Sequence, residues 1–191
     1  MLFRSVKRKG MDIGILIDSS FGVTADEFQR LKLFVSRLVI SISVHFTNVH
    51  FGIIVYSDLP ELVMTLQNVD RVDVVSIIEG VKYIPGGHRT DLAMLYASRK
   101  LFCPEGCDDR PEEKNVMIVF TSENTDPESI PYSLISPIMK VSRQTYVSQL
   151  SIDVKRLSDT SQQMSWDENI FRKQLKQRIS KLWHSSPIQC C

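Results

Sequence analysis

DIGILIDSSFGVT, residues 12–24, is the stretch that decides the fold. Residues 12–17 are apolar with little alternation, the pattern of a strand covered on both faces in a parallel sheet. The run stops on Asp18, Ser19 and Ser20. Thr24, with Glu27 three residues on, is a capping box, and Phe28, Leu31, Phe34, Val35 and Leu38 then recur at helical spacing. Strand therefore gives way to amphipathic helix through a polar cluster. Asp, Ser and Thr are favoured at such a junction because they satisfy free backbone amides, so the cluster reads either as a cap or as the ligand set of an ion.

Outward from this unit the alternation continues. VHFGIIVYS (49–57) is a strand, and ELVMTL (61–66) a shorter one joined to it through a turn at DLPE. Residues 70–82 predict a second helix capped by Asp70. YIPGGHRTD (83–91) is a Pro-Gly-Gly loop, LAMLYASRKLF (92–102) a third helix, and NVMIVFTS (115–122) another apolar strand ending in hydroxyls. Pro131 and Pro137 break the helical stretch 126–142. QTYVSQLSI (144–152) predicts a strand, 153–159 a helical turn or two, and 162–166 an edge strand. The last helix is 167–183, with Ile170, Phe171, Leu175, Ile179 and Leu182 on its apolar stripe. Strand and helix alternate over nearly the whole length, which predicts a doubly wound α/β domain: a mostly parallel sheet with helices on both faces. Ligands of such sheets sit at the carboxyl ends of the strands, after Ile17, around Gly86–Thr90 and after Phe120.

At 191 residues, with 43% hydrophobic and 24% charged residues, the chain can bury one sizeable core. We divide it into a basic N-terminal tail (1–10), one domain (11–184) and a C-terminal tail carrying a cysteine pair (185–191). A formal charge of +1 gives no bulk attraction to nucleic acid or acidic membranes, and the basic triplet at 7–9 is too short for a binding patch. No apolar run approaches the ~18 residues of a membrane span. The opening MLFRSVKRKG does not follow the signal-peptide pattern, which on its own predicts an intracellular chain, a mature form or a fragment. Cys103, Cys107, Cys190 and Cys191 permit three pairings, and their spacing does not match a structural zinc site.

DIGILIDSS followed by its helix, VHFGIIVYSD, YIPGGHRTDLAMLYA and KNVMIVFTS, in that order, resemble the von Willebrand factor type A domain, with a match from about Asp12 to Trp183. The resemblance implies a Rossmann-like three-layer sandwich and an adhesion site that holds Mg²⁺ or Mn²⁺ through Asp-x-Ser-x-Ser, a Thr from a second loop and a later Asp. Mg²⁺ takes octahedral oxygen ligands and leaves a position for a partner's carboxylate. Carried over, Asp18 matches the first Asp and Ser20 the first Ser, while Gly22 stands at the second Ser and Ser122 at the later Asp. One alignment puts His88 on the metal-side Thr; another puts Thr90 there. The resemblance thus implies a degenerate metal site of Asp18, Ser20, Thr90 and Ser122, and a partner-binding edge that includes Phe21, Gly22, His88 and Glu123. Similarity to the domains of collagens and matrilins implies a non-enzymatic, extracellular adhesion module for a matrix or cell-surface protein, with weak or no metal dependence. It also implies that the third and last helices end at the opposite edge, where CPEGC and the terminal cysteines would meet.

Other chemistries have less support. A hydrolase would need Gly-x-Ser-x-Gly around Ser19 or Ser20, and neither glycine is present. PGGHR lacks the forms of phosphate-binding loops, so nucleotide binding is not expected. His88 reads as an exposed loop histidine near the ligand edge. An intracellular assembly scaffold on the same fold is the alternative that free thiols would favour.

Overall fold

Met11–Asp18 forms strand β1, and every one of its residues is buried, as its unalternating apolar run requires. The structure, a computed structural model, describes residues 10–103 and 106–122, Ser129, Ile130, and a few isolated positions beyond. Helix α1 (Ala25–His45) follows β1, then β2 (Val49–Tyr56), β3 (Pro60–Asn68), a 3₁₀ turn (Val69–Arg71), α2 (Val74–Glu79), α3 (Thr90–Lys100) and β4 (Lys114–Thr121). Two short strands, β5 (Thr145–Tyr146) and β6 (Ile152–Asp153), complete the described elements.

The sheet order is β3-β2-β1-β4-β5, with β6 also paired to β4. β1 runs parallel to β2 and β4, and β5 and β6 run parallel to β4; β3 alone is antiparallel to its neighbour. This is the mixed, mostly parallel sheet expected from the alternation of strands and helices.

Period-two geometry sorts the core into two faces. Leu16, Ile54, Tyr56, Met117 and Val119 pack with Ala93, Met94, Ala97, Leu101 and Phe102 from α3 and its end. Phe120, one residue on from Val119, points the other way and meets Phe34 of α1 edge-on at 5.8 Å. The helices therefore cover opposite faces. Gly14 and Gly52 face each other in the β1–β2 register. A Cβ on Gly14 would lie 2.8 Å from Phe102 Cζ, and one on Gly52 would lie 2.6 Å from Leu101 Cδ2, so the two glycines make the hollow that the end of α3 fills.

The capping box at Thr24 and Glu27 forms as read, in both directions. The second helix is shorter than 70–82. Asn68 caps a single 3₁₀ turn, Asp73 rather than Asp70 caps α2 through the Ser76 amide, and Gly80 closes it. Two Asx caps within six residues split one apolar period into two pieces. Buried Lys32 on α1 reaches across and donates to the carbonyls of Glu79 (2.7 Å) and Val81 (3.0 Å), satisfying acceptors at the end of α2. Within 144–152, only Thr145–Tyr146 and Ile152 are described as strand. The segments 126–142, 153–166 and 167–183 lie outside the described residues apart from single positions, of which Leu134, Gln177, Ser180 and Lys181 are helical. By its contacts the chain divides into Met1–Ser158 and Asp159–Cys191, and the sheet with α1–α3 belongs to the first unit.

At the amino end of the strands, Arg110 holds the sheet margin. Its Nε donates to Asp12 Oδ1 (2.8 Å), its backbone amide to Asp12 Oδ2 (3.0 Å), and its guanidinium to the Asn48 side chain and to the carbonyls of Met11 and Asn48. Cys103 and Cys107 in the preceding loop are joined by a disulfide, with Cα atoms 6.0 Å apart. Of the three pairings open to the sequence, this one staples CPEGC to itself; Cys190 and Cys191 lie outside the described residues.

Candidate functional site at the carboxyl edge of the sheet

β1 delivers Asp18 to the carboxyl edge with no exposed surface. The carboxylate is fully engaged by the protein. Oδ1 accepts the Ser20 amide (2.8 Å); Oδ2 accepts the Ser122 amide (2.7 Å) and the Ser122 hydroxyl (2.9 Å) and lies 3.0 Å from His88 Nε2. Burial would raise the Asp18 pKa, but the hydrogen bond and charge of His88, with the Ser122 and Ser20 amides, outweigh it and hold the group below its ordinary value of 3.8.

His88 is not the exposed loop histidine the sequence suggests: it is 4% exposed. Its Nε2 sits among three oxygens, Asp18 Oδ2 (3.0 Å), Thr121 Oγ1 (2.7 Å) and Thr90 Oγ1 (3.1 Å). Both threonine hydroxyls send their protons elsewhere, Thr90 to Tyr56 Oη (3.1 Å) and Thr121 to the Ser122 carbonyl (2.9 Å). They therefore present lone pairs to the ring, and the surroundings place the imidazole proton on Nε2. Tyr56 passes the chain on to the Phe120 carbonyl (2.9 Å). The loop is short and Gly-Gly-rich, which lets His88 turn inward while Gly87 donates to Asp58 Oδ1 (2.7 Å) and Arg89 to the Ser57 carbonyl (3.1 Å).

Gly22 and Ser122 are matched in space. A Cβ on Gly22 would lie 2.3 Å from Ser122 Oγ. Ser20 Oγ accepts the Gly22 amide (3.3 Å) and lies 3.5 Å from Ser122 Oγ. Ser19 turns away, exchanging hydrogen bonds with the Ile84 amide (2.8 Å) and carbonyl (3.1 Å), while the Phe21 amide donates to Gly86 (2.9 Å). Three loops are thus knitted together. Phe21 itself projects outward at 77% exposure.

Asp18, Ser20, Ser122, Thr90 and His88 converge, as the sequence pattern groups them. Glu123 lies outside the described residues. Tyr56 and Thr121, whose oxygens complete the cluster, carry no sequence signal beyond ending their strands. A divalent cation would need oxygen lone pairs free to turn on it. The donor set does not fit one: both Asp18 oxygens are already held, position 22 has no side-chain oxygen, and a carboxylate is replaced by the Ser122 hydroxyl. An imidazole nitrogen stands at the centre of the remaining oxygens. Among the described residues, no group of three His, Cys, Asp or Glu could hold a metal.

The sequence profile of the von Willebrand factor type A domain matches residues 12–177, and the chain belongs to that family. It is 29% identical over 111 residues to vitrin of Mus musculus and 27% identical over 119 residues to von Willebrand factor A domain-containing protein 2 of Homo sapiens. These matches span 58% and 62% of this chain but only 16% of either relative. Among solved structures, proximal thread matrix protein 1 from the mussel byssus superposes with a TM-score of 0.56 at 19% identity, over 71% of this chain and 34% of that one. A second structure of that protein, with a zinc-occupied adhesion motif, gives 0.57 over the same shares. An aerotolerance-related membrane protein of Bacteroides fragilis gives 0.52 at 19% identity, over 70% and 63%. At such identities the likeness is one of fold. No described helix is long and apolar enough to cross a membrane.

Proposed function

We propose that this domain is a non-enzymatic protein–protein interaction module of an extracellular matrix-type protein, binding its partner at the carboxyl edge of the sheet with little or no dependence on a divalent metal. The observation that carries the reading is the closure of the oxygen cluster on His88. The set that would hold a carboxylate-recruiting ion lacks a side-chain oxygen at Gly22 and a carboxylate at Ser122 and has His88 Nε2 at its centre, while the same edge projects Phe21 into solvent. Enzymatic turnover has no support from this geometry. Ser19 and Ser20 are buried and bonded within the loops, and His88 Nε2 faces acceptors rather than a nucleophile. An extracellular setting is supported by the Cys103–Cys107 disulfide.

The test is solid-phase binding of the whole chain to a panel of purified matrix proteins, in EDTA and in millimolar Mg²⁺. Saturable binding should be the same in both within about twofold. Phe21→Ser should weaken it by about tenfold or more, as expected for an aromatic anchor, and Val44→Asp on α1 should leave it unchanged. Binding that requires Mg²⁺, or that ignores Phe21, overturns the reading.

A further inference from the structure

The rim of the closed site has its own chemistry. Of the exposed large apolar side chains, Phe21 (77%), Leu59 (73%), Ile84 (47%) and Ile130 (38%) stand on loops tied to the Asp18 cluster. Phe21 is fixed through Gly86, Ile84 through Ser19, and Leu59 through its carbonyl to the Ser57 amide at the end of β2. Ile130 donates its amide to Asp91 Oδ2 at the start of α3, and neighbouring Ser129 bonds the His88 carbonyl. Single exposed apolar residues need no explanation, but four carried by the loops of one edge give that edge an apolar character.

Asp58 stands on the same edge, against the Gly86–Gly87 loop. Its Oδ1 is held by the Gly87 amide at 2.7 Å, and its Oδ2 lies against Gly86, where an added Cβ would approach to 2.3 Å. An exposed carboxylate is thereby fixed on the loop whose Gly86 carbonyl anchors Phe21. The neighbouring Arg89 is already paired with Asp91 at 2.9 Å. Asp26, exposed in the first turn of α1, adds a further negative charge to the same edge. A metal-bearing edge attracts carboxylates; this one presents a carboxylate among hydrocarbon.

Resting on the function proposed above, we infer that the partner presents an arginine or lysine inside an apolar segment, its charged head on Asp58 and its methylene stem and apolar neighbours on Phe21, Leu59 and Ile84. Long cationic side chains suit such a surface, since the stem packs on apolar area while the head stays at the charge, and a guanidinium also stacks on an aromatic face. An acidic partner would meet like charge.

A random dodecapeptide library displayed on phage, panned against the folded chain in EDTA, tests this. The expected clones carry Arg or Lys flanked by Leu, Ile or Phe. Synthetic peptides from them should bind Asp58→Asn and Phe21→Ser about tenfold more weakly and Val44→Asp as well as the unaltered chain, with circular dichroism confirming that all three variants fold. Acidic clones that still depend on Phe21 overturn the partner chemistry and leave the edge in place. Clones lost on Val44→Asp but kept on Phe21→Ser overturn both the chemistry and the edge. Failure to enrich any clone over a blank surface overturns the inferred partner.

Discussion

Replacing His88 by Ala removes the group around which the edge is closed, and the structure sets the size of the effect. Asp18 has no exposed surface and loses one of the three donors on Oδ2, while Thr90 and Thr121 lose the N–H they face. Leaving a buried polar group short of a hydrogen-bond donor costs about 1–3 kcal/mol, and most where the group is ionised. Because the Ser20 amide and both Ser122 donors still hold the carboxylate, the loss should reach the upper end of that range, about 3 kcal/mol, and no more. For a domain of this size that is a fall in Tm of about 6–12 °C. The diagnostic measurement is a double-mutant cycle of His88→Ala with Asp18→Asn, read by urea denaturation. Groups in one network couple by about 0.5–3 kcal/mol, so the double variant should cost less than the two single losses added together. Additivity within about 0.5 kcal/mol would refute a direct Asp18–His88 interaction. In the same series, millimolar Mg²⁺ should leave the unaltered chain's Tm unchanged, since a ligand binding only the folded state would raise it.

Three further outcomes follow from the same geometry. Gly22→Ser should destabilise by about 1–3 kcal/mol through overpacking against Ser122, and Ser122→Gly in the same chain should recover part of the loss; a silent Gly22→Ser would contradict the close approach. Asp18 and Asp91 both have lowered folded-state pKa values: burial opposes ionisation in each, but His88 and local amides overcome it for Asp18, and Arg89 with the Ile130 and Leu92 amides overcomes it for Asp91. Their stabilisation is present above the unfolded value of 3.8 and lost as pH falls through the folded values, so the urea midpoint should drop steadily below about pH 5, less so in Asp18→Asn; a flat acid profile would contradict this. Arg110→Met leaves the Asp12 carboxylate at the sheet margin without its guanidinium and should cost about 3–5 kcal/mol, measured by the same denaturation; a change under about 1 kcal/mol would show that the backbone amide alone suffices.

The strands were the legible part of this chain. β1, β2 and β4 are buried along nearly their whole lengths, so their apolar runs needed no alternation to be read, and the Thr24–Glu27 box marked where β1 hands over to α1. α2 was misread because Asn68, Asp70 and Asp73 all cap well, and only tertiary packing selects among them. At the site, Asp18, Ser20 and Ser122 could be placed from the family pattern, as could the substitution at Gly22. For His88 the pattern left two alignments open, one of which set it on the metal-side Thr, and its inward turn was not legible from the loop itself, which reads as exposed. It depends on Asp18, 70 positions earlier, and on Thr121, 33 positions later, and no local spacing encodes either contact. Arg110 was passed over for the same reason: its partners Asp12 and Asn48 are 98 and 62 residues away, so in sequence it is one charge among several in a polar loop.

A cation delivered from solution is subject to mass action: it leaves on dilution, is stripped by a chelator, and fills its site only while its concentration allows. The nitrogen at the centre of the Asp18, Thr90 and Thr121 oxygens is attached to the chain, so its local concentration is set by a loop and not by the medium. Exchanging an ion for a side chain removes a dissociation equilibrium from the edge. On the function proposed above, the loops around Phe21 would hold one arrangement whether or not divalent ions are present, and the domain would give up the means by which ion supply could gate its contacts.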